Sequence, residues 1–105
     1  AMGADGGIGA TYRLMTEFYL KIEELVKAGN LEQARRVQYA CNEVIYGMCA
    51  CHGNLYGVIK EILKIREGLD IGGVRKPLAS LVPEDMEQVK KCAAMIDRAV
   101  REFCA

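Results

Sequence analysis

"GNLEQARRVQYACNEVIYGMCACHGNLYGVIKEIL", residues 29–63, contains one tripeptide twice, as Gly29-Asn30-Leu31 and as Gly53-Asn54-Leu55. In each copy the glycine is placed to end one helix and the asparagine to begin the next. Glycine enters the left-handed region at a helix C-terminus at little steric cost. An asparagine side chain accepts a hydrogen bond from the first turn, and Gln33, three residues after Asn30, completes a capping-box pattern. Beyond Asn30, Leu31, Ala34, Val37, Cys41, Val44, Ile45 and Met48 recur at helical spacing and predict a helix over 31–52. Beyond Asn54, Leu55, Val58, Ile59, Ile62 and Leu63 predict a second over 54–67, stopping near Gly68. Connections this short favour antiparallel neighbours. The repeated tripeptide is punctuation used twice, not a solenoid unit.

The same grammar extends in both directions. Upstream, Leu14, Phe18, Ile22 and Leu25 form one apolar stripe and predict a helix over 12–28, with Lys27 suited to the negative end of its dipole. Downstream, Gly72, Gly73 and Pro77 mark 69–82 as a connector. Pro83 suits a first helical position, and Glu84 and Asp85 suit a solvated first turn. Met86, Val89, Ala93, Ile96, Val100 and Phe103 then predict a helix over 83–104. Only the glycine-rich residues 1–11 read as extended. The fold class is therefore mainly α: about four amphipathic helices in a bundle behind a Gly-rich extended segment, in a single helical domain over 1–105.

Composition narrows the function. At 105 residues the chain forms one domain at most, and 14 basic residues balance 14 acidic ones. That balance gives no electrostatic reason to expect nucleic acid or an anionic membrane. No apolar run approaches the roughly 18 residues of a membrane span. Five cysteines, an odd number, and no secretory leader predict reduced thiols and a cytoplasmic location.

The chemical motifs are incomplete. Gly7-Ile8-Gly9 begins a dinucleotide fingerprint, but Tyr12 stands at the third glycine position, and no Gly-Lys-Ser/Thr follows. A tight turn that needs small residues explains these glycines better, and the helix start behind it is suited to an anionic group. Cys49, Cys51 and His52 resemble a metal cluster, but Cys51 points away from the face that Cys49 and His52 share, and no second pair follows. Neither a metal nor a cofactor is expected. His52 is the single histidine, and no Ser-His-Asp order exists around it. Tyr12, Tyr19, Tyr39, Tyr46 and Tyr56 are scattered, and Arg35, Arg36, Lys60, Lys64 and Arg66 interleave with acids as a solvated face.

Taken in order, "GADGGIGATY", a helix, "AGNLEQARRVQYACNEVI", "GNLYGVIKEIL" and "RKPLASL" resemble the C-terminal third of the dihydrodipicolinate synthase/N-acetylneuraminate lyase family of (β/α)8 barrels. The Thr11-Tyr12 pair leans toward the sialic-acid lyases. The resemblance implies that 1–11 is the last barrel strand with its C-terminal loop, that 12–28 is the last barrel helix, and that the other helices are the bundle that packs on the barrel. Active sites of such barrels lie at the C-terminal ends of strands. Gly7, Ile8, Gly9 and Ala10 would then border the pyruvate and sugar site as a substrate-binding rim.

The implied chemistry is class I aldol cleavage of N-acetylneuraminate to N-acetylmannosamine and pyruvate. A lysine amine forms a Schiff base with the 2-keto carbon, and a tyrosine assists proton transfer. The resemblance places both groups on earlier strands. Lys21, Lys27, Lys60, Lys64, Lys76, Lys90 and Lys91 all fall on helices or the connector, so no catalytic residue is assigned and the chain alone is expected to be inactive. Ala10 stands where the family usually has a substrate-contacting serine, and Arg13 where it usually has asparagine. Without neighbouring strands, 1–11 is expected to be disordered, to become helical or to pair with another copy. The alternative reading is a stand-alone bundle that associates with itself through exposed apolar helix faces and acts as an interaction module.

Overall fold

A computed structural model describes residues 2–103 as four helices: α1 (Thr16–Lys27), α2 (Leu31–Cys49), α3 (Leu55–Glu67) and α4 (Asp85–Phe103). The architecture is mainly helical, and no strand occurs among the described residues. The extended segment does not form the strand that the resemblance implies. A strand is made by ladder hydrogen bonds to a neighbour, and residues 2–10 lie exposed with none beside them. The ends of the expected spans at Ala1 and Cys104 lie outside the described residues.

Every pair of helices is in contact except α1 with α3. Helices α2 and α4 thus form the middle of the bundle, with α1 and α3 to either side. The core follows the stripes: Phe18 and Leu25 from α1, Val37, Cys41, Val44 and Met48 from α2, Val58 and Ile62 from α3, and Val89, Cys92 and Ile96 from α4. Leu14 and Met15, just ahead of α1, are buried in the same cluster. Leu31 is the exception among the stripe residues and remains exposed.

The two Gly-Asn-Leu copies do different work. At the first, Gly29 has φ +78° and donates to Val26 O, and Asn30 N–H donates to Leu25 O at 2.9 Å, which is a Schellman closure of α1. The Asn30 side chain then accepts from Gln33 N–H at 3.3 Å and caps α2. One residue therefore closes one helix and opens the next. At the second copy Asn54 caps α3 by accepting from Tyr56 N–H at 2.9 Å, but Gly53 has no positive φ. Gly53 is required for contact instead: a Cβ there would lie 2.8 Å from Leu81 Cα and 2.9 Å from Leu81 N. The left-handed stop on this side of the bundle is Gly68, at φ +69°, behind α3.

Three helix limits differ from the sequence expectation by more than one residue, each for a local reason. Helix α1 begins at Thr16, not Tyr12, because Met15 leaves the helical region (φ −124°, ψ 33°) and the Thr16 hydroxyl donates to Tyr12 O at 2.7 Å. Helix α2 stops at Cys49: Ala50 and Cys51 N–H close its last turn on Tyr46 and Met48 O, and the following His52 and Gly53 N–H turn to the Asp85 carboxylate at 2.7 and 2.9 Å. Helix α4 begins at Asp85 after a turn in which Asp85 N–H donates to Val82 O.

Asp85 corrects the expectation of a solvated acid. It is only 2% exposed, accepts a third backbone N–H from Val82 at 3.2 Å, and faces His52 Nδ1 at 3.3 Å. Burial by itself would raise its pKa, but the His52, Gly53 and Val82 amides and the His52 side chain outweigh burial and hold the carboxyl below its ordinary value. A depressed folded pKa means stability that is fully present above the ordinary 3.8 and is lost as pH falls through the folded value. Asp85→Asn should therefore lower the unfolding temperature by roughly 5 °C or more at neutral pH. The gap between parent and variant should narrow below about pH 4. Thermal unfolding followed by circular dichroism from pH 7 to pH 2.5 checks both; a gap independent of pH contradicts the assignment.

Candidate functional site

The glycine-rich segment and the turn behind it are the part of the molecule with an unusual backbone. Gly7, Ile8, Gly9 and Ala10 are all exposed and lie immediately ahead of the turns that lead into α1. Tyr12 N–H donates to Gly9 O at 3.2 Å and folds the segment back over the Tyr12 ring. A Cβ at Gly7 would sit 2.6 Å from Tyr12 Oη, and one at Gly9 would sit 2.5 Å from Tyr12 Cε1. Glycine at these two positions is thus explained by close approach to an aromatic ring.

Beneath that ring lies a polar anchor. The Tyr12 and Tyr19 rings pack with centroids 4.4 Å apart at a 41° tilt. The Tyr19 hydroxyl shares a 2.9 Å hydrogen bond with Thr11 Oγ1, and Thr11 is buried. Burial pushes the Tyr19 hydroxyl above its ordinary pKa; the Thr11 hydrogen bond opposes the shift, and Cys41 and Tyr12 add to it. Tyr19 therefore stays protonated and serves as a neutral hydrogen-bonding group. The tyrosines are scattered in sequence, and Tyr12 lies in the turn ahead of α1, so no helical spacing announces its packing on Tyr19.

The far helices fix this turn. Arg13 makes a two-pronged bridge to Glu67, at 2.6 and 3.2 Å. Arg66 donates to Leu14 O at 3.3 Å and to Asp97 Oδ1 at 2.9 Å. With its side chain 18% exposed, Arg66 is not part of a solvated face as expected; it ties the turn before α1 to both α3 and α4.

The cysteine cluster does not become a site. Cys49 and His52 are exposed, Cys51 is half-buried, and among the described residues no three of His, Cys, Asp and Glu converge as metal ligands. Burial pushes the Cys51 thiol up, and the nearby Asp85 carboxylate adds to the shift. The seven lysines lie where the sequence placed them, on helices or the connector. Among the described residues no helix is long and apolar enough to cross a membrane.

Residues 1–96 match the model of the dihydrodipicolinate synthetase family. The chain belongs to that family. It is 58% identical over 102 residues to the N-acetylneuraminate lyase of Mediterraneibacter gnavus, a match covering 97% of this chain and 32% of that protein. It is 40% identical over 85 residues to the N-acetylneuraminate lyase of Haemophilus influenzae, covering 81% of this chain and 28% of the relative. Among solved structures, the wild-type sialic acid aldolase of Ruminococcus gnavus superposes with a TM-score of 0.94 at 58% identity, over 96% of this chain and 34% of that one. A catalytic lysine mutant of the same aldolase superposes equally well. The chain thus spans about a third of the length of these family members.

The Arg66 link yields a stability prediction. Arg66→Ala removes a charge-assisted pair and leaves Leu14 O without that donor, a loss of about 1–2 kcal/mol. Urea denaturation should show the lower midpoint with an unchanged slope; an unchanged midpoint would mean that the Leu14 turn is held by its apolar side chains alone.

Proposed function

We propose that these residues are the C-terminal part of an N-acetylneuraminate lyase-like class I aldolase. The observation that carries this reading is the superposition of nearly the whole chain, glycine-rich segment included, on a sialic acid aldolase at 58% identity. In the assembled enzyme Gly7, Ile8, Gly9 and Ala10 form one rim of the substrate site. Their contribution is main chain: the missing side chains at Gly7 and Gly9 leave room for Tyr12 on one side, and backbone groups are what the segment offers to substrate oxygens. The Schiff-base lysine and the proton-transferring tyrosine belong to segments outside these 105 residues. The lysine amine condenses with the 2-keto carbon and releases water. As the carbon–carbon bond breaks, the substrate hydroxyl loses its proton to become the aldehyde of N-acetylmannosamine and the iminium takes up the electron pair as an enamine; protonation of that enamine at carbon and hydrolysis by water then release pyruvate and the free lysine amine.

A chimera tests the reading. The Mediterraneibacter gnavus relative, with its matching third replaced by this chain, should cleave N-acetylneuraminate and be labelled by pyruvate with borohydride, whereas the isolated chain should take no label. A folded but inactive chimera, or a labelled isolated chain, overturns it. Within the chimera, Ala10→Ser should lower KM for N-acetylneuraminate about fivefold at unchanged kcat, the effect of one added hydrogen bond of about 1 kcal/mol.

A second reading, the self-associating interaction module, draws on Leu20, Tyr39 and Tyr46, large apolar side chains left exposed on α1 and α2. Sedimentation of the isolated chain decides it: a defined oligomer with cooperative unfolding favours the module, and a monomer excludes it.

A further inference from the structure

We propose that Tyr12 is a positioning residue that sets the height and course of the Gly7–Ala10 backbone. The inference rests on the lyase reading for its consequence, though not for its geometry. In the structure, Tyr12 is the side chain on which the glycine-rich segment rests. A carbon added at Gly9 would collide with the ring, at 2.5 Å from Cε1, and one added at Gly7 would meet the Tyr12 hydroxyl at 2.6 Å, with the ring carbons 3.5 Å away. The Gly9 carbonyl is further fixed by Tyr12 N–H at 3.2 Å.

The ring is supported from below. Tyr19 packs under it at 4.4 Å, and Tyr19 is in turn pinned through its hydroxyl to buried Thr11. Thr11 and Tyr12 are adjacent in sequence, so the chain Tyr12–Tyr19–Thr11 closes on itself. A closed loop of contacts holds an aromatic plate at a fixed height without help from the barrel. A rim of glycines has no side-chain packing of its own and a large conformational freedom. A fixed plate is what such a rim needs to present its amides in one arrangement.

Tyr12 does not touch substrate in this scheme, and it acts on the rim that binds the sugar, not on the Schiff-base lysine. The two steps of the reaction should therefore separate in the chimera. Tyr12→Leu should raise KM for N-acetylneuraminate about tenfold, as a displaced binding rim does, while trapping of pyruvate by borohydride proceeds as before. Tyr12→Phe, which keeps the plate, should stay within about twofold of the parent. Gly9→Ala should raise KM in the parent and do so less in the Tyr12→Leu background, because the added carbon then has no ring to strike.

An unchanged KM in Tyr12→Leu, a parallel loss of pyruvate trapping, or additive effects of Gly9→Ala and Tyr12→Leu would overturn the proposal. The packing itself is read on the isolated chain by NMR, independently of any activity. The Gly9 α-protons should carry a ring-current shift that Tyr12→Phe keeps and Tyr12→Leu loses, and absence of that shift overturns the proposal as well. Failure of the unmodified chimera to cleave, by contrast, counts against the lyase reading and leaves the NMR result to decide the positioning.

Discussion

One buried carboxylate sets the layout of the bundle. Asp85 sits at the start of α4 and accepts backbone N–H groups from His52 and Gly53, at the end of α2, and from Val82, in the connector. Those amides would otherwise be orphans: two belong to the stretch where α2 has stopped and α3 has not begun, and buried donors without partners are costly. The carboxylate satisfies all three at once. Residues more than thirty positions apart are thereby pulled into one knot, and α4 is held beside α2 and α3. The close approach is possible only because Gly53 has no side chain; Leu81 backbone occupies the space a Cβ would need.

With that end fixed, the other end of the bundle is organised by arginines. Arg66 spans from α3 to Asp97 on α4 and to the Leu14 carbonyl, and Arg13 reaches Glu67. The exposed Arg13–Glu67 pair adds little to stability by itself, since surface pairs lie near 0–1 kcal/mol. Its value is directional. Two fork-shaped guanidinium groups, Arg13 in the turn itself and Arg66 on α3, define where the chain leaves the bundle before α1, and Leu14 and Met15 lock the same point from inside by burial. Arg13 thus has a partner in this chain's own Glu67.

The sequence made some of this legible and not the rest. Gly29 and Asn30 could be read because a Schellman closure and an asparagine cap depend on residues within a few positions, and the apolar stripes could be read because helical periodicity is local. Asp85 could not. An acid two residues after Pro83 fits the first turn of any helix, and only the tertiary approach of Gly53 converts it into an acceptor for three distant amides. For the same reason the second Gly-Asn-Leu looked like the first, although Gly53 is there for contact and Gly29 for backbone sign. At the candidate site the glycines stood out by crowding, while the reason for two of them, the Tyr12 ring, lies in a fold-back that spacing alone does not reveal. Arg66 was hidden because interleaved charges on a helix are usually solvated.

The two ends of the molecule divide the packed core from the candidate site. The apolar core draws on all four helices and lies below the turn that carries the glycine-rich segment. Gly7, Ile8, Gly9 and Ala10 bury nothing of their own, so no hydrophobic gain offsets the entropy of ordering them. Order there has to be imported, and Tyr12 is the route by which it arrives: its ring touches the glycines above and Tyr19 below, and Tyr19 lies on α1, whose other face enters the core. A segment built in this way can change its exposed side chains, Ile8 and Ala10, without disturbing the bundle. Changes in the bundle do reach the segment, through Arg66, Leu14 and the Thr11–Tyr19 pair. The asymmetry gives the helices a part in shaping the glycine-rich segment, which has no packing of its own.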